Sequence, residues 1–118
     1  MPLASPAVPF IPGLNAPPRL LVSVRSATEA RAALEGGCDI LDVKEPSRGP
    51  LGMADLSVIR EIASAAQSLY PTVSLSVALG EARDWPPGCD FPELPDPVRI
   101  VKAGVAGISR NLLKSRLT

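Results

Sequence analysis

Short apolar runs alternating with helical-period segments predict an α/β fold built on a parallel sheet. Three observations carry this. Apolar runs at residues 20–24, 38–43, 72–79 and 98–104 have the length and branched composition of buried strands. Amphipathic helical segments separate the first three runs, and strand–helix–strand order in short units implies right-handed crossovers. The first crossover lacks the Gly-x-Gly-x-x-Gly turn of a dinucleotide site, which counts against an open doubly wound sheet. The remaining architecture is a partial (β/α)8 barrel, with about four parallel strands and two clear crossover helices.

Residues 1–18 hold six of the fourteen prolines and no charged side chain. They lack the basic start and unbroken apolar segment of a secretory signal, so an extended, disordered leader is expected. Leu20-Leu21-Val22-Ser23-Val24 reads as a strand buried on both faces. Ser26-Ala27-Thr28-Glu29 has capping-box spacing and opens an alanine-rich helix that Gly36-Gly37 closes. Residues 38–43 form the second strand. Asp55 is placed to cap a second helix with the stripe Ile59, Ile62, Ala63, Ala66, Leu69, and Pro71 lies past its end. Residues 72–79 form the third strand, ending at Gly80, and residues 98–104 the fourth. Residues 84–97 carry five prolines, so no full crossover helix is expected there. The chain therefore divides into a leader (1–18), half a barrel (19–108) and a tail (109–118) without a clear stripe.

Composition excludes several function classes. At 118 residues the chain is one domain or part of one. Lys+Arg and Asp+Glu balance at 12 each with no basic run, so no nucleic-acid partner is expected. No stretch approaches the ~18 apolar residues of a membrane span, and a cytoplasmic protein without a membrane partner is expected. Aromatic content of 3% leaves the core to Ala, Val, Leu and Ile. Cys38 and Cys89 lack Cys-x-x-Cys spacing and read as reduced thiols. The absence of histidine removes the commonest general base and metal ligand, so acid–base work falls on Lys, Asp, Glu, Tyr70 or the cysteines. No metal site is expected.

The informative segment is Asp42-Val43-Lys44-Glu45-Pro46, at the end of the second strand. An amine drawn out of water there moves toward the neutral form that attacks a carbonyl. Strand alternation puts Asp42 and Lys44 on one face with Ile40, where the acid could orient the amine, and Leu41 and Val43 on the other. The same spacing also suits a salt bridge that closes a strand end. Lys102 shares a face with Ile100 and Val98 by the same count, and could equally extend to solvent. Ser23 and Arg25 face opposite Val22 and Val24; Ser74 and Ser76 face opposite Leu75 and Val77. Hydroxyls and charges thus gather on one side, at the strand ends where barrel enzymes work. In the Pro46–Gly52 loop, backbone N–H groups with Ser47 and Arg48 could hold an anionic oxygen such as a phosphate, or the loop is only a connector.

These residues resemble a known family. Leu20 to Ser26, Glu35-Gly36-Gly37-Cys38-Asp39-Ile40-Leu41-Asp42-Val43-Lys44-Glu45-Pro46, Gly49-Pro50-Leu51-Gly52, Ser76-Val77-Ala78-Leu79-Gly80 and Val101-Lys102-Ala103-Gly104 follow in order. Together they are similar to the N-terminal half of the (5-formylfuran-3-yl)methyl phosphate synthase family, over residues 19–107. The resemblance implies a class I aldolase-like lyase. It would join two glyceraldehyde 3-phosphate molecules into a furan phosphate for methanofuran-type carriers. By position, Lys44 would form the Schiff base and Lys102 would be the proton acceptor, with Asp42 supporting. Ser23, Arg25, Ser47 and Arg48 are the candidate contacts to a phosphorylated triose. No cofactor is needed, because the imine serves as electron sink.

The chain departs from the family at Ala103 and Val105, where bulkier residues are expected, and in its short 81–97 connection. A complete barrel takes ~250 residues, so the expectation is a truncated or frameshifted frame, or one piece of a split enzyme. A homo-oligomer or a complementing C-terminal half would then complete it. Another lysine-dependent enzyme of sugar phosphates, or an inactive fragment, are the alternatives.

Overall fold

The computed structural model describes residues 16–88 and 92–108. Most of the expected leader, Cys89 and the tail from residue 109 lie outside the described residues. Four strands, β1 (Leu21–Val24), β2 (Ile40–Val43), β3 (Ser74–Glu81) and β4 (Val98–Gly104), form one sheet in the order β1-β2-β3-β4. Every pairing is parallel. Helices α1 (Ala27–Glu35) and α2 (Leu56–Leu69) join the first three strands. A doubly wound sheet reverses its strand order at a switch point. Here the order advances without reversal and α1 packs on α2, which is compatible with a sector of a barrel.

The helix ends follow local chemistry. Ser26 Oγ accepts from the Glu29 N–H at 3.2 Å. Glu29 reaches back one residue beyond the usual box, accepting from the Arg25 N–H at 2.7 Å. At the other end the Cys38 N–H donates to the Ala33 carbonyl and the Gly37 N–H to the Leu34 carbonyl, the paired bonds of a Schellman motif. Gly37 stands at φ +90°, where a side chain would be strained. Asp55 departs from expectation. It occupies the N-cap of α2 without a side-chain capping bond, because its carboxylate pairs with Arg48 at 2.9 Å.

The core lies between the helices and one face of the sheet. Leu34, Leu41, Val43, Ile59, Ile62, Leu75 and Val77 are its main members. Burying each of these large aliphatic side chains contributes roughly 1.5–3 kcal/mol. Three expectations are corrected. The first strand is not covered on both faces: Leu20 and Leu21 are exposed, since β1 is an edge of the described sheet. Leu69 closes the α2 stripe by spacing, yet it is 59% exposed, one turn beyond the last covered position at Ala66. Val98 does not share a face with Lys102. Val98 pairs with Leu75 and Ile100 with Ser76, so Arg99 is an extra residue in β4 and the face alternation slips there. Val98 accordingly packs on the helix-side core.

Between β3 and β4 a short 3-10 turn (Ala82–Asp84) leads into irregular chain, with no crossover helix among the described residues. Trp85 anchors this connection, its Nε1–H donating to the Leu79 carbonyl at 2.7 Å. No helix among the described residues is long and apolar enough to cross a membrane.

Candidate active site

On the sheet face away from the helices, Ser23, Asp42, Ser76 and Ile100 stand side by side in register across the four strands. Asp42 is fully buried. Its Oδ2 accepts two hydrogen bonds, from Ser23 Oγ at 2.9 Å and from Lys102 Nζ at 2.9 Å. The Asp42–Lys102 pair joins β2 to β4 across β3, a span of roughly 9.5 Å between backbones. A lysine covers that span only over small side chains. Ser76 and Ala78, both fully buried on the intervening strand, provide them.

Lys44 follows β2 directly and is half-buried. Its N–H donates to the Val24 carbonyl at 3.2 Å, which continues the β1–β2 pairing one residue past the strand. Its amine makes no ion pair among the described residues. The strand-end salt bridge between Asp42 and Lys44 is therefore not formed. Among the described residues the hydrogen bonds of Asp42 go to Lys102 and Ser23, both through Oδ2. Among the described residues, then, the Lys102 amine is held in an ion pair and the Lys44 amine is not.

Of the expected substrate contacts, only Ser23 joins this cluster. Arg25 pairs with Glu45 at 3.0 Å. Ser47 donates to Glu45 Oε2 from both its N–H, at 3.0 Å, and its hydroxyl, at 2.8 Å. Arg48 donates to the Met53 carbonyl at 2.8 Å and pairs with Asp55. Arg25, Ser47 and Arg48 thus shape the loop. Glu45 is the organising residue that sequence reasoning missed. Its signal was its place before Pro46, at the N-cap of the short 3-10 turn Pro46–Arg48.

The Ser47 backbone N–H and hydroxyl, with Arg25 behind them, hold the Glu45 carboxyl below its ordinary range. A lowered carboxyl pKa gives stabilisation that is complete above the unfolded value, near 4.3, and is lost as pH falls through the lowered value. The loop is therefore expected to keep its Glu45 contacts where an ordinary glutamate is already half protonated. An NMR acid titration of the Ser47 amide checks this; a midpoint at the ordinary glutamate value contradicts it.

A cleft of about 310 Å³ opens between this loop and the turn after β3, lined among others by Arg48, Gly49, Leu51, Gly80, Glu81 and Arg83. It lies past the C-terminal ends of β2 and β3. Cys38 is buried, and burial, then the Asp39 carboxylate, push its thiol up, so it is no candidate nucleophile. No group of His, Cys, Asp and Glu among the described residues is arranged to hold a metal ion.

The fold class is a parallel α/β sheet compatible with part of a barrel, with lysines toward the C-terminal ends of two strands. Comparison with known proteins narrows it. A family model described as 4-HFC-P synthase matches residues 20–114, and the chain belongs to that family. The (5-formylfuran-3-yl)methyl phosphate synthase of Archaeoglobus fulgidus is 33% identical over 96 residues, 81% of this chain and 36% of that protein. The synthase of the same name from Methanococcus maripaludis strain C7 is 37% identical over 87 residues, 74% of this chain and 32% of that one. The one from Methanopyrus kandleri is 56% identical over 45 residues, 38% and 19% respectively. The chain therefore spans no more than about a third of the length of these relatives.

Proposed function

We propose that the chain carries the imine-forming half of a lyase that makes (5-formylfuran-3-yl)methyl phosphate from two glyceraldehyde 3-phosphate molecules. The names of its relatives support the product, and a Lys44 amine without an ion pair among the described residues, two positions past the Asp42 that holds Lys102, supports the chemistry. Lys44 adds to the aldehyde of one triose, water leaves, and the imine withdraws electrons from the neighbouring carbon. In its neutral form Lys102, held 2.9 Å from Asp42, takes the proton released there, and the carboxylate offsets the charge this creates. The resulting enamine attacks the second aldehyde. Loss of one phosphate and two waters with ring closure balances the atoms of the furan phosphate. Because the lysine imine is the electron sink, this sequence runs without an organic cofactor.

The single observation that carries the reading is that Lys44, at the end of β2, has no ion pair among the described residues, whereas Lys102 is paired with Asp42. Borohydride reduction of the chain with glyceraldehyde 3-phosphate is expected to leave a stable mass adduct on Lys44. A folded preparation without that adduct overturns the reading.

A second reading is favoured by a separate observation. Leu20 and Leu21 on one edge of the described sheet, and Ile100, Val101 and Val105 on the other, are 40–54% exposed. Open apolar edges attract further strands, so the chain works with a complementing C-terminal half or a second copy. Size-exclusion chromatography is expected to show association. A cooperatively melting monomer contradicts it.

A further inference from the structure

We infer that Asp42 Oδ1 and Ser76 Oγ together hold one water molecule, the water that leaves when the Lys44 imine forms and returns when it is hydrolysed. The inference rests on the imine reading above and adds a position for its leaving group.

Two buried oxygens point to it. Asp42 and Ser76 are cross-strand partners in register, and both are fully buried. Asp42 Oδ2 has two donors, yet among the described residues its sister oxygen Oδ1 has no hydrogen-bond partner, and neither has Ser76 Oγ. Polar atoms out of reach of bulk solvent are costly to leave unpaired, and carboxylate oxygens more than most. Their neighbours on this face include the Ser23 hydroxyl, the Lys102 amine and the small Ala78 as well as Ile100, so the site has polar groups on the Asp42 side. A buried water needs two to four polar partners. Oδ1 accepts one of its protons, Ser76 Oγ donates to or accepts from it, and Lys102 Nζ has two N–H groups beyond the one spent on Oδ2.

Lys44 is two residues past Asp42, so the site lies about 6.6 Å along the strand from the Lys44 backbone, within the reach of a lysine side chain. The step balances without any other reagent. The Lys44 nitrogen adds to the aldehyde carbon to give a carbinolamine. Its C–O bond breaks as the nitrogen lone pair forms C=N, and the hydroxyl departs with one proton as water. Hydrolysis runs the same bonds in reverse: the held water adds its oxygen to the imine carbon and the nitrogen regains a proton. Ser76 acts here as a positioning residue for that water.

A group that holds the leaving water changes the rate of imine formation and hydrolysis alike, and leaves their ratio alone. Timed borohydride quenching of the full chain with glyceraldehyde 3-phosphate separates the two. Ser76→Ala is expected to slow the approach to imine equilibrium about tenfold, the worth of one hydrogen bond in a barrier, with the final adduct yield unchanged. Ser76→Thr keeps the hydroxyl and is expected to restore the rate. Ser76→Cys, similar in size with a weak donor, is expected to be slow and guards against misfolding of the alanine variant. Wild-type rates in Ser76→Ala or Ser76→Cys overturn the inference. A crystal structure of the substrate-free chain gives an independent readout. An ordered water bonded to both Asp42 Oδ1 and Ser76 Oγ supports the site. A direct Ser76–Asp42 hydrogen bond, or a dry gap, overturns it. If the wild type forms no Lys44 adduct at all, the imine reading has failed, and the crystal readout still decides the water site.

Discussion

Lys44→Met is expected to abolish the borohydride adduct with glyceraldehyde 3-phosphate and to lower imine-dependent turnover by at least ~10³-fold, about 4 kcal/mol of barrier. The reason is chemical, not structural. Lys44 contributes its backbone N–H to the β1–β2 pairing, and methionine keeps that bond as well as an unbranched stem. Its amine has no ion pair among the described residues to lose. Stability is therefore expected to change by no more than about 0.5 kcal/mol, as at positions away from buried networks. Lys44→Arg sharpens the experiment, because it keeps charge and length while removing a nucleophilic amine. Intact-mass spectrometry with peptide mapping reads the result. An adduct that persists in Lys44→Met, carried by Lys102 instead, would reverse the roles of the two lysines.

The second large effect is expected at Gly52. This glycine is buried where the loop after Lys44 folds back: the Glu45 N–H donates to the Gly52 carbonyl at 2.8 Å, and the Gly52 N–H donates to the Gly49 carbonyl at 3.0 Å. A Cβ at position 52 would overlap the Glu45 carbonyl oxygen and lie 2.8 Å from Arg48 Cβ. The first obstacle is backbone, so it cannot rotate aside as a side-chain tip would. Gly52→Ala must open the loop or break the Glu45 hydrogen bond. Overpacking together with one lost bond costs roughly 2–4 kcal/mol, a large share of the ~5–15 kcal/mol that holds a domain folded. Denaturant unfolding is the measurement. A wild-type midpoint would mean that the loop adapts freely. Gly49→Ala offers a contrasting case: space around it is open, and strain comes instead from φ +112°.

The loop connects these two expectations, since it begins at the residue after Lys44. Glu45 gathers Arg25 and Ser47, and Arg48 reaches Met53 and Asp55. Three side chains whose chemistry suits an anionic ligand are thus engaged in holding the turn. Residue type alone could not tell these roles apart, because a guanidinium serves a phosphate and a carboxylate equally well.

Local signals determined much of this protein. Ser26 and Gly37 bound α1, the Ile59–Ile62–Ala63–Ala66 spacing set the buried face of α2, and the run 98–104 matched β4 residue for residue. Each depends on interactions within a few positions, which a sequence displays directly. Alternation by two also put Asp42, Ser76 and Lys102 on the polar side of the sheet. Only the tertiary structure decided which of them meet. Asp42 bonds Lys102, sixty positions away, and not Lys44, because strand register and the small side chains at 76 and 78 let the Lys102 side chain cross β3. The extra residue at Arg99 turned Val98 to the opposite face, and edge placement left Leu21 in solvent. Register, bulges and edges are properties of strand partners, and no strand carries its partners in its own periodicity.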